Sequence, residues 1–555
     1  MATESFFSNA SLAYLASAGA GKDGKTYSIK PTDGSGDFTF SRGSNLAATR
    51  VGPTGLIEKG RENLLLQSNQ FDTTWALSGA SVASGQSGYD GSSNAWLLES
   101  TNTTSLLYQN ISSSNVQTFS CYAKAGTADY LAIYVSTGAR TWFDLSNGTI
   151  GYQNSTIDRQ IQDVGNGWYR CSISYNASVS DVRFYVSNTN NSFVSAIGSN
   201  IYIQDAQLEI GLAATEVIES GATTGKAGLL EDEPRFDYSG GATCPSLLLE
   251  PSRTQLVTQS EYFGGSDWVS SSNVNITDNV TTSPEGVQNA ALINFTSGSN
   301  YFQNGGAGMV SGSTYTISCY VKRALSTDQV FRLYGNGNIV SGNFTATSEW
   351  QRFTYTFTAA STNFSCGLTT PSTCQIHLYG FQVEQASYPT SYIPNHSGGS
   401  VTRGADVCTG AGDASTFNDS EGVLYAEISA LANDGTFRNI SVSNGTTAQA
   451  IRIYYRSNDD QITFLLGSSS GSGITTSIPS ATDYIKVAAK YDTDTIKLFI
   501  NGALINTISS LTMPTGLQQL DFNIANVLPF YGNAKQVLYF PTALSDADCI
   551  TLTTL

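Results

Sequence analysis

LIEKGRENLLLQSNQF, residues 56–71, returns as LLEPSRTQLVTQSEYF at residues 248–263. Without a gap, Leu56/Leu248, Glu58/Glu250, Arg61/Arg253, Leu64/Leu256, Gln67/Gln259, Ser68/Ser260 and Phe71/Phe263 are identical. In a chain with only 13% charged residues this many shared positions mark an internal repeat, and a repeat sets architecture before any local reading. Downstream the two copies stay in register. Trp75 aligns with Trp268, FSCYAK (119–124) with ISCYVK (317–322), NGWYRCSIS (166–174) with SEWQRFTYT (348–356), and IYIQDAQLE (201–209) with IHLYGFQVE (376–384). Each block alternates large apolar and polar residues, as in Phe119, Cys121 and Ala123 against Ser120, Tyr122 and Lys124. A period of two describes strands with one buried face. Several of them between Gly and Asn turns predict a two-sheet sandwich of jelly-roll type for residues 56–220 and again for 248–396. Leu64 and Phe71 are expected in the core of the first copy, and Glu58 and Arg61 as an ion pair.

Around the repeats, residues 1–55 read as an N-terminal anchoring and connector segment, and 221–247 and 397–419 as connectors. Residues 420–555 form a separate all-β domain without a copy of the repeat. Its strands alternate in VLYAEISAL, IRIYYRS, QITFLLG and YIKVAAKY, and Asn501-Gly502 within KLFINGALINTI is a strong hairpin signal. Ser545 is placed to cap a short closing helix with Asp546 and Asp548 behind it.

Composition removes several classes of function. Against 27 basic residues stand 44 acidic ones, a net charge of −17 with no basic cluster, so neither nucleic acid nor an anionic membrane surface is an expected partner. No apolar run approaches the ~20 residues of a membrane span, so no membrane insertion is expected. The first residues include an acid and no early Lys or Arg, unlike a secretory signal. Eight thinly spread cysteines without a CxxC pair predict free thiols and assembly in a reducing cytoplasm, although Cys366 and Cys374 are close enough to bridge a hairpin. Residues 19–26, GAGKDGKT, match GxxxxGK[ST] letter for letter. The helix that would present its amides to a phosphate is blocked by Pro31, Gly34 and Gly36, so a turn is expected instead.

The chemistry that remains is recognition. Only His377 and His396 exist, which excludes a zinc site built from several histidines and leaves a Ser-His-Asp arrangement dependent on one of them. Glu427 and Asp434 stand apart, so residues 420–555 lack a glucanase-type acidic cluster; no catalytic residue is assigned and the chain is not expected to be an enzyme. Trp75/Trp268 and Trp168/Trp350 recur, which points to a shared core. Trp96 and Trp142 have no aromatic counterpart and are the better ligand-binding candidates, with Tyr454, Tyr455 and Tyr531 in the last domain. One of the adjacent Tyr454 and Tyr455 should be buried and the other available. Gln207/Glu209 and Gln382/Glu384 invite pairing with Arg61 or Arg253, or a structural calcium ion. No cofactor and no other metal site is read.

Four phrases together, FTFSRGSNLAATRV (38–51), GLIEKGRENLLLQS (55–68), EDEPRFDYSGG (231–241) and LLLEPSRTQLVTQSE (247–261), resemble a family of bacteriophage virion surface proteins of tail-fibre, tail-protein or head-spike type. The repeats resemble carbohydrate-binding-module jelly rolls, and residues 420–555 a concanavalin A-like, laminin-G-like sandwich. The resemblance implies an all-β chain of tandem jelly rolls followed by a lectin-like domain. It also implies a structural subunit on the virion surface, assembled in the host cytoplasm. Its implied partners are other copies of itself, most simply as a homotrimer, other virion proteins and host surface polysaccharide. A purely structural virion component and a capsule depolymerase are the alternatives.

Overall fold

A computed structural model describes the chain apart from residues 1, 19–20, 44–45, 307, 337–338, 457–459 and 468–470, and apart from the side chains of 2–5. Gly19 and Ala20 of the GxxxxGK[ST] match therefore lie outside the described residues. The rest of that match is a tight hairpin: Gly21–Lys22 pairs antiparallel with Lys25–Thr26 through Asp23 (φ 53°) and Gly24 (φ 76°).

The period-two blocks are strands throughout. In the first repeat one six-stranded sheet runs Asp158–Gly165, Trp168–Asn176, Val116–Ala125, Asn200–Ile210, Ala95–Ser100, Ala80–Gln86. The other runs Thr149–Asn154, Arg140–Asp144, Tyr130–Val135, Val179–Ser187, Leu106–Ser113, Ala76–Ser78. Phe119, Cys121, Leu131, Ile133, Phe143 and Phe184 fill the space between them. The second repeat is a matching sandwich of a six-stranded and a five-stranded sheet.

The opening stretch has the same job in both copies. Gln67 and Gln259 each adopt φ 51°, and their carbonyls accept Trp75 Nε1 (3.1 Å) and Trp268 Nε1 (3.0 Å). The buried amide of Asn63 donates to the carbonyls of Ala206 and Ile218 and accepts from Leu65 and Leu208 N–H. Gln255 makes the equivalent set with Phe381, Ile393, Val257 and Val383. Each amide closes its module by satisfying backbone groups that would otherwise be buried without partners. Phe71 is fully buried as expected, whereas Leu64 only packs against the core and its neighbour Leu65 takes the interior position.

Both repeats belong to one compact unit, residues 59–230 and 254–401. Residues 1–58, 231–253 and 402–555 form the other. Segments expected to be an anchor and connectors are strands of this second unit. Leu12–Leu15 and Ser246–Leu249 both pair with Gly532–Phe540, Arg235–Asp237 pairs with Ser246–Leu249, and Val407–Thr409 pairs with Phe38–Ser41. The resulting eight-stranded sheet opposes the five-stranded one, Gly473–Ser477, Gln461–Leu466, Ala450–Tyr455, Arg438–Ser443, Gln519–Asp521, in a two-sheet β-sandwich. Leu12, Phe38, Phe236 and Leu247 share one core with Ile453, Val487 and Val537, so residues 420–555 do not make their core alone.

Charged side chains stitch these distant segments together. Arg235 Nη1 lies 2.5 Å from Glu250 Oε2, and Arg235 Nη2 bonds Asp406. Arg42 reaches Asp406 (3.3 Å) and Arg403 reaches Glu250 (2.7 Å), all with side chains at most 3% exposed. Three guanidiniums face two carboxylates, and the carbonyls of Thr49, Glu233 and Pro251 accept further N–H groups from them. Glu58 bonds Arg50 (2.7 Å) rather than Arg61.

Removing one partner from such a network strands a buried charge. Asp406→Asn should therefore cost the 1–58, 231–253, 402–555 unit about 3–5 kcal/mol. The chain's 6 tryptophans all lie in the other unit. In urea the variant should lose far-UV circular dichroism early while the tryptophan-fluorescence transition stays in place; coincident shifts of both signals would contradict the assignment.

Candidate functional site

In the sheet that carries Tyr130–Val135, alternation sends Leu131, Ile133, Phe143, Val182 and Phe184 into the core. The same alternation turns rings and guanidiniums to the other face. Register places Tyr108, Arg183, Tyr134, Arg140 and Asn154 in one row across five strands, and Leu106, Tyr185, Ala132 and Trp142 in the next. Arg183 lies 5.1 Å from the Tyr134 ring centre and Arg140 lies 6.0 Å from that of Tyr152. Asp181 grips Arg183 with two bonds, 2.5 and 3.0 Å, which fixes the guanidinium over the ring.

Trp142 belongs to this face but is its floor. Phe193, from residues 188–199, packs on Trp142 at 4.7 Å and on Tyr185 at 4.4 Å, and Tyr152 meets Trp142 at 5.7 Å. Trp142 is left 1% exposed, with Nε1 donating to Ser192 O (2.8 Å). The accessible groups are Tyr152, at 38%, with half-buried Tyr108, Tyr134, Arg140 and Arg183. Flat rings beside fixed N–H donors suit a ligand with an apolar face and hydroxyl edges. The corresponding sheet of the second repeat presents Tyr301, Gln303 and Arg332, while Tyr334 is buried and bonded to Gln303; among the described residues it shows no such aromatic stack.

The opposite sheets of the two repeats share a framework that is covered differently. Tyr122, Lys124, Trp168 and Arg170 correspond to Tyr320, Lys322, Trp350 and Arg352, and each arginine lies over its tyrosine, at 5.4 and 5.5 Å. In the first repeat Tyr89 stacks on Tyr122 at 3.7 Å, its hydroxyl donates to Asp205 (3.0 Å), and Trp168 is 1% exposed. In the second, Trp350 is half-exposed beside Lys322, so recurrence of the tryptophan does not place both copies in a core.

The remaining candidates are scattered. Trp96 is a core residue, 7% exposed, packed on Phe71 and donating to Asn69 O (3.0 Å); it cannot meet a ligand. Tyr455 is also interior, its hydroxyl donating to Ile428 O, while Tyr454 on the other face is half-exposed beside Arg452. Tyr531 is half-buried immediately before strand Gly532–Phe540. His396, which the sequence places without a nearby candidate nucleophile, sits with Nε2 3.6 Å from Glu261.

Glu209 and Glu384 do not pair with Arg61 or Arg253. Each accepts from its Gln amide, 2.6 Å for Gln207 and 2.7 Å for Gln382, and from the N–H and hydroxyl of Thr215 or Thr390. These N–H and O–H donors point where a calcium ion would need oxygen lone pairs, so the residues do not fit that ion. Among the described residues no group of three His, Cys, Asp or Glu is placed to hold a metal. All eight cysteines are free, and Cys366 and Cys374 belong to different sheets.

No protein-family model matches the chain, and no curated protein matches it. Among solved structures it is similar to the CBM40 domain of Ruminococcus gnavus IT-sialidase bound to α2,3-sialyllactose, with 20% identity over 25% of this chain and 84% of that one at a TM-score of 0.23. It is also similar to the CBM22-1 xylan-binding domain of Paenibacillus barcinonensis Xyn10C, with 13% identity over 25% and 99% at 0.21. The tandem CBM22-1–CBM22-2 domain of that protein covers 59% of this chain and 98% of its own at 12% identity and 0.23. At these scores the likenesses carry no argument about ligand.

Burial pushes the Asp205 carboxyl up to about 6, against hydrogen bonds from Tyr89 and Gln204 that favour its charge. A raised carboxyl contributes stability at low pH and loses it as pH climbs from about 4 to about 6. Asp205→Asn should therefore melt higher than the parent chain at pH 7 and lose that advantage by pH 4, as read by the tryptophan-fluorescence melt.

Proposed function

We propose that this protein is a structural, host-attachment subunit of a phage virion appendage, of tail-fibre, tail-protein or head-spike type. Its first β-sandwich binds host surface polysaccharide across the Tyr108, Arg183, Tyr134, Arg140 and Tyr152 face. The observation that supports glycan recognition is the alternation of accessible rings with fixed guanidiniums on a surface of an otherwise acidic chain. The virion role rests on the four phrases in residues 38–261. The face binds without turnover, because its carboxylates are already engaged: Asp181 by Arg183, and Asp144 by Ser146, Asn147 and Tyr130. Weak contacts of this kind gain strength when a symmetric oligomer, most simply a trimer, presents several at once.

Affinity electrophoresis through gels containing host polysaccharide tests the reading. Tyr134→Ala and Tyr152→Ala should each weaken binding by about 2–10-fold, the ~0.5–1.5 kcal/mol of an aromatic stacking contact. Tyr454→Ala should leave it unchanged. Equal retardation of the parent chain and the Tyr134→Ala/Tyr152→Ala double variant would favour a purely structural component, and release of reducing ends from the polysaccharide would favour a depolymerase.

A further inference from the structure

The opening segment of the first repeat inserts two cations into the second. Lys59 Nζ lies 2.5 Å from Glu285 Oε1 and 3.0 Å from Glu261 Oε1, and Arg61 Nη2 lies 2.6 Å from Glu285 Oε2. Across the same two carboxyls stands Asn289, its Nδ2 3.3 Å from Glu285 Oε2 and 3.4 Å from Glu261 Oε2. Tyr392 and Tyr379 donate to Glu261 at 3.0 and 3.3 Å, and Tyr379 also bonds Glu285. Lys59 is 8% exposed, Glu285 9%, Asn289 2% and Glu261 1%, so the cluster is buried, with Arg61 at its outer edge. Asn289 Oδ1 is buried with no hydrogen-bond partner. Ion pairing explains the lysine and the glutamates. It does not explain an amide held between two carboxylates with its carbonyl oxygen unsatisfied, an arrangement that costs stability unless chemistry follows.

We propose that Lys59 and Asn289 react to form an intramolecular isopeptide bond, with Glu285 as the proton carrier, so that a covalent strap joins the two repeats. Glu285 Oε1 takes a proton from the Lys59 ammonium, and the neutral amine attacks Cγ of Asn289. The Nζ–Cγ bond forms and the Cγ–Nδ2 bond breaks. Nδ2 gains the second Nζ proton through Glu285 Oε2 and leaves as ammonia, while the first proton stays on Glu285. The balance needs no oxidant or co-reactant. It also keeps the pocket neutral: two cations face two carboxylates before the step, and Arg61 faces one carboxylate after it. Fixed geometry supplies the high effective concentration that an amine needs to attack an unactivated amide, and the carboxyl supplies general acid–base assistance.

Intact-mass spectrometry of the purified, folded full chain tests this directly. The mass should be one ammonia below that of the sequence, and proteolysis should release a branched peptide joining Lys59 to Asn289. Lys59→Arg, Asn289→Ala and Glu285→Gln should each restore the full mass. If Asn289→Ala fails to fold, the near-isosteric Asn289→Leu, which fills the same volume and offers the amine no carbonyl carbon to attack, should restore the full mass. A folded parent chain at full sequence mass overturns the proposal. So does an ammonia loss that persists in Lys59→Arg, since succinimide formation at an Asn-Gly pair such as Asn501-Gly502 would then be its source.

Discussion

Asp406 and Glu250, held between Arg42, Arg235 and Arg403, are the constraint on which the discontinuous unit depends. Taking five ionised groups out of water is expensive, and a network of this kind adds little net stability over an apolar core. What it adds is selectivity. Each of the three guanidiniums has a carboxylate partner only when residues 42, 235, 250, 403 and 406 come together, which ties down the strands beside them, Phe38–Ser41, Arg235–Asp237, Ser246–Leu249 and Val407–Thr409. The phrases SRG, EPRF, LLEPS and TRGAD carry these residues. Their distinctness as sequence reflects a shared electrostatic lock rather than a ligand.

Much of the local structure was legible because its causes are local. Asn501 and Gly502 adopt φ 48° and 84°, as a two-residue hairpin turn requires, and Ser545 accepts from Asp548 N–H at the head of the last helix. Adjacent Tyr454 and Tyr455 divide between surface and core as strand geometry demands. Partner choice was not legible. Nothing in LAYL at residues 12–15 names Gly532–Phe540 as its neighbour, since that pairing is settled by which sheet edge has apolar space beneath it. Glu58 and Arg61 look like a pair on paper yet stand in separate short strands, Ile57–Lys59 and Arg61–Asn63, each with a better partner.

The candidate face shows the same limit at the level of a site. Absence of a counterpart in the other repeat singled out Trp142 and Trp96, but uniqueness is not exposure. Trp142 is unique because Phe193 and Tyr152 were added above it, and Trp96 because the first core uses a larger residue against Phe71. The groups left accessible, Tyr134, Tyr152, Arg140 and Arg183, become a set only when four strands are laid in register. Conversely Trp168 and Trp350 recur with different surroundings, because Tyr89 packs edge-on against one while the other lies half-exposed beside Lys322. A duplicated scaffold thus diverges through what its loops place on top of it.

The pairing of Leu12–Leu15 with Gly532–Phe540 also sets a timetable. Residues 59–230 and 254–401 can close as soon as their own last strand is made, whereas the other unit cannot complete its main sheet until the final strand emerges. At the usual ~5–20 residues per second of synthesis, the first strand waits on the order of half a minute to two minutes for its partner. Throughout that interval a nascent chain carries an apolar segment whose binding site does not yet exist, and its yield in the cell depends on how well that segment is shielded while it waits.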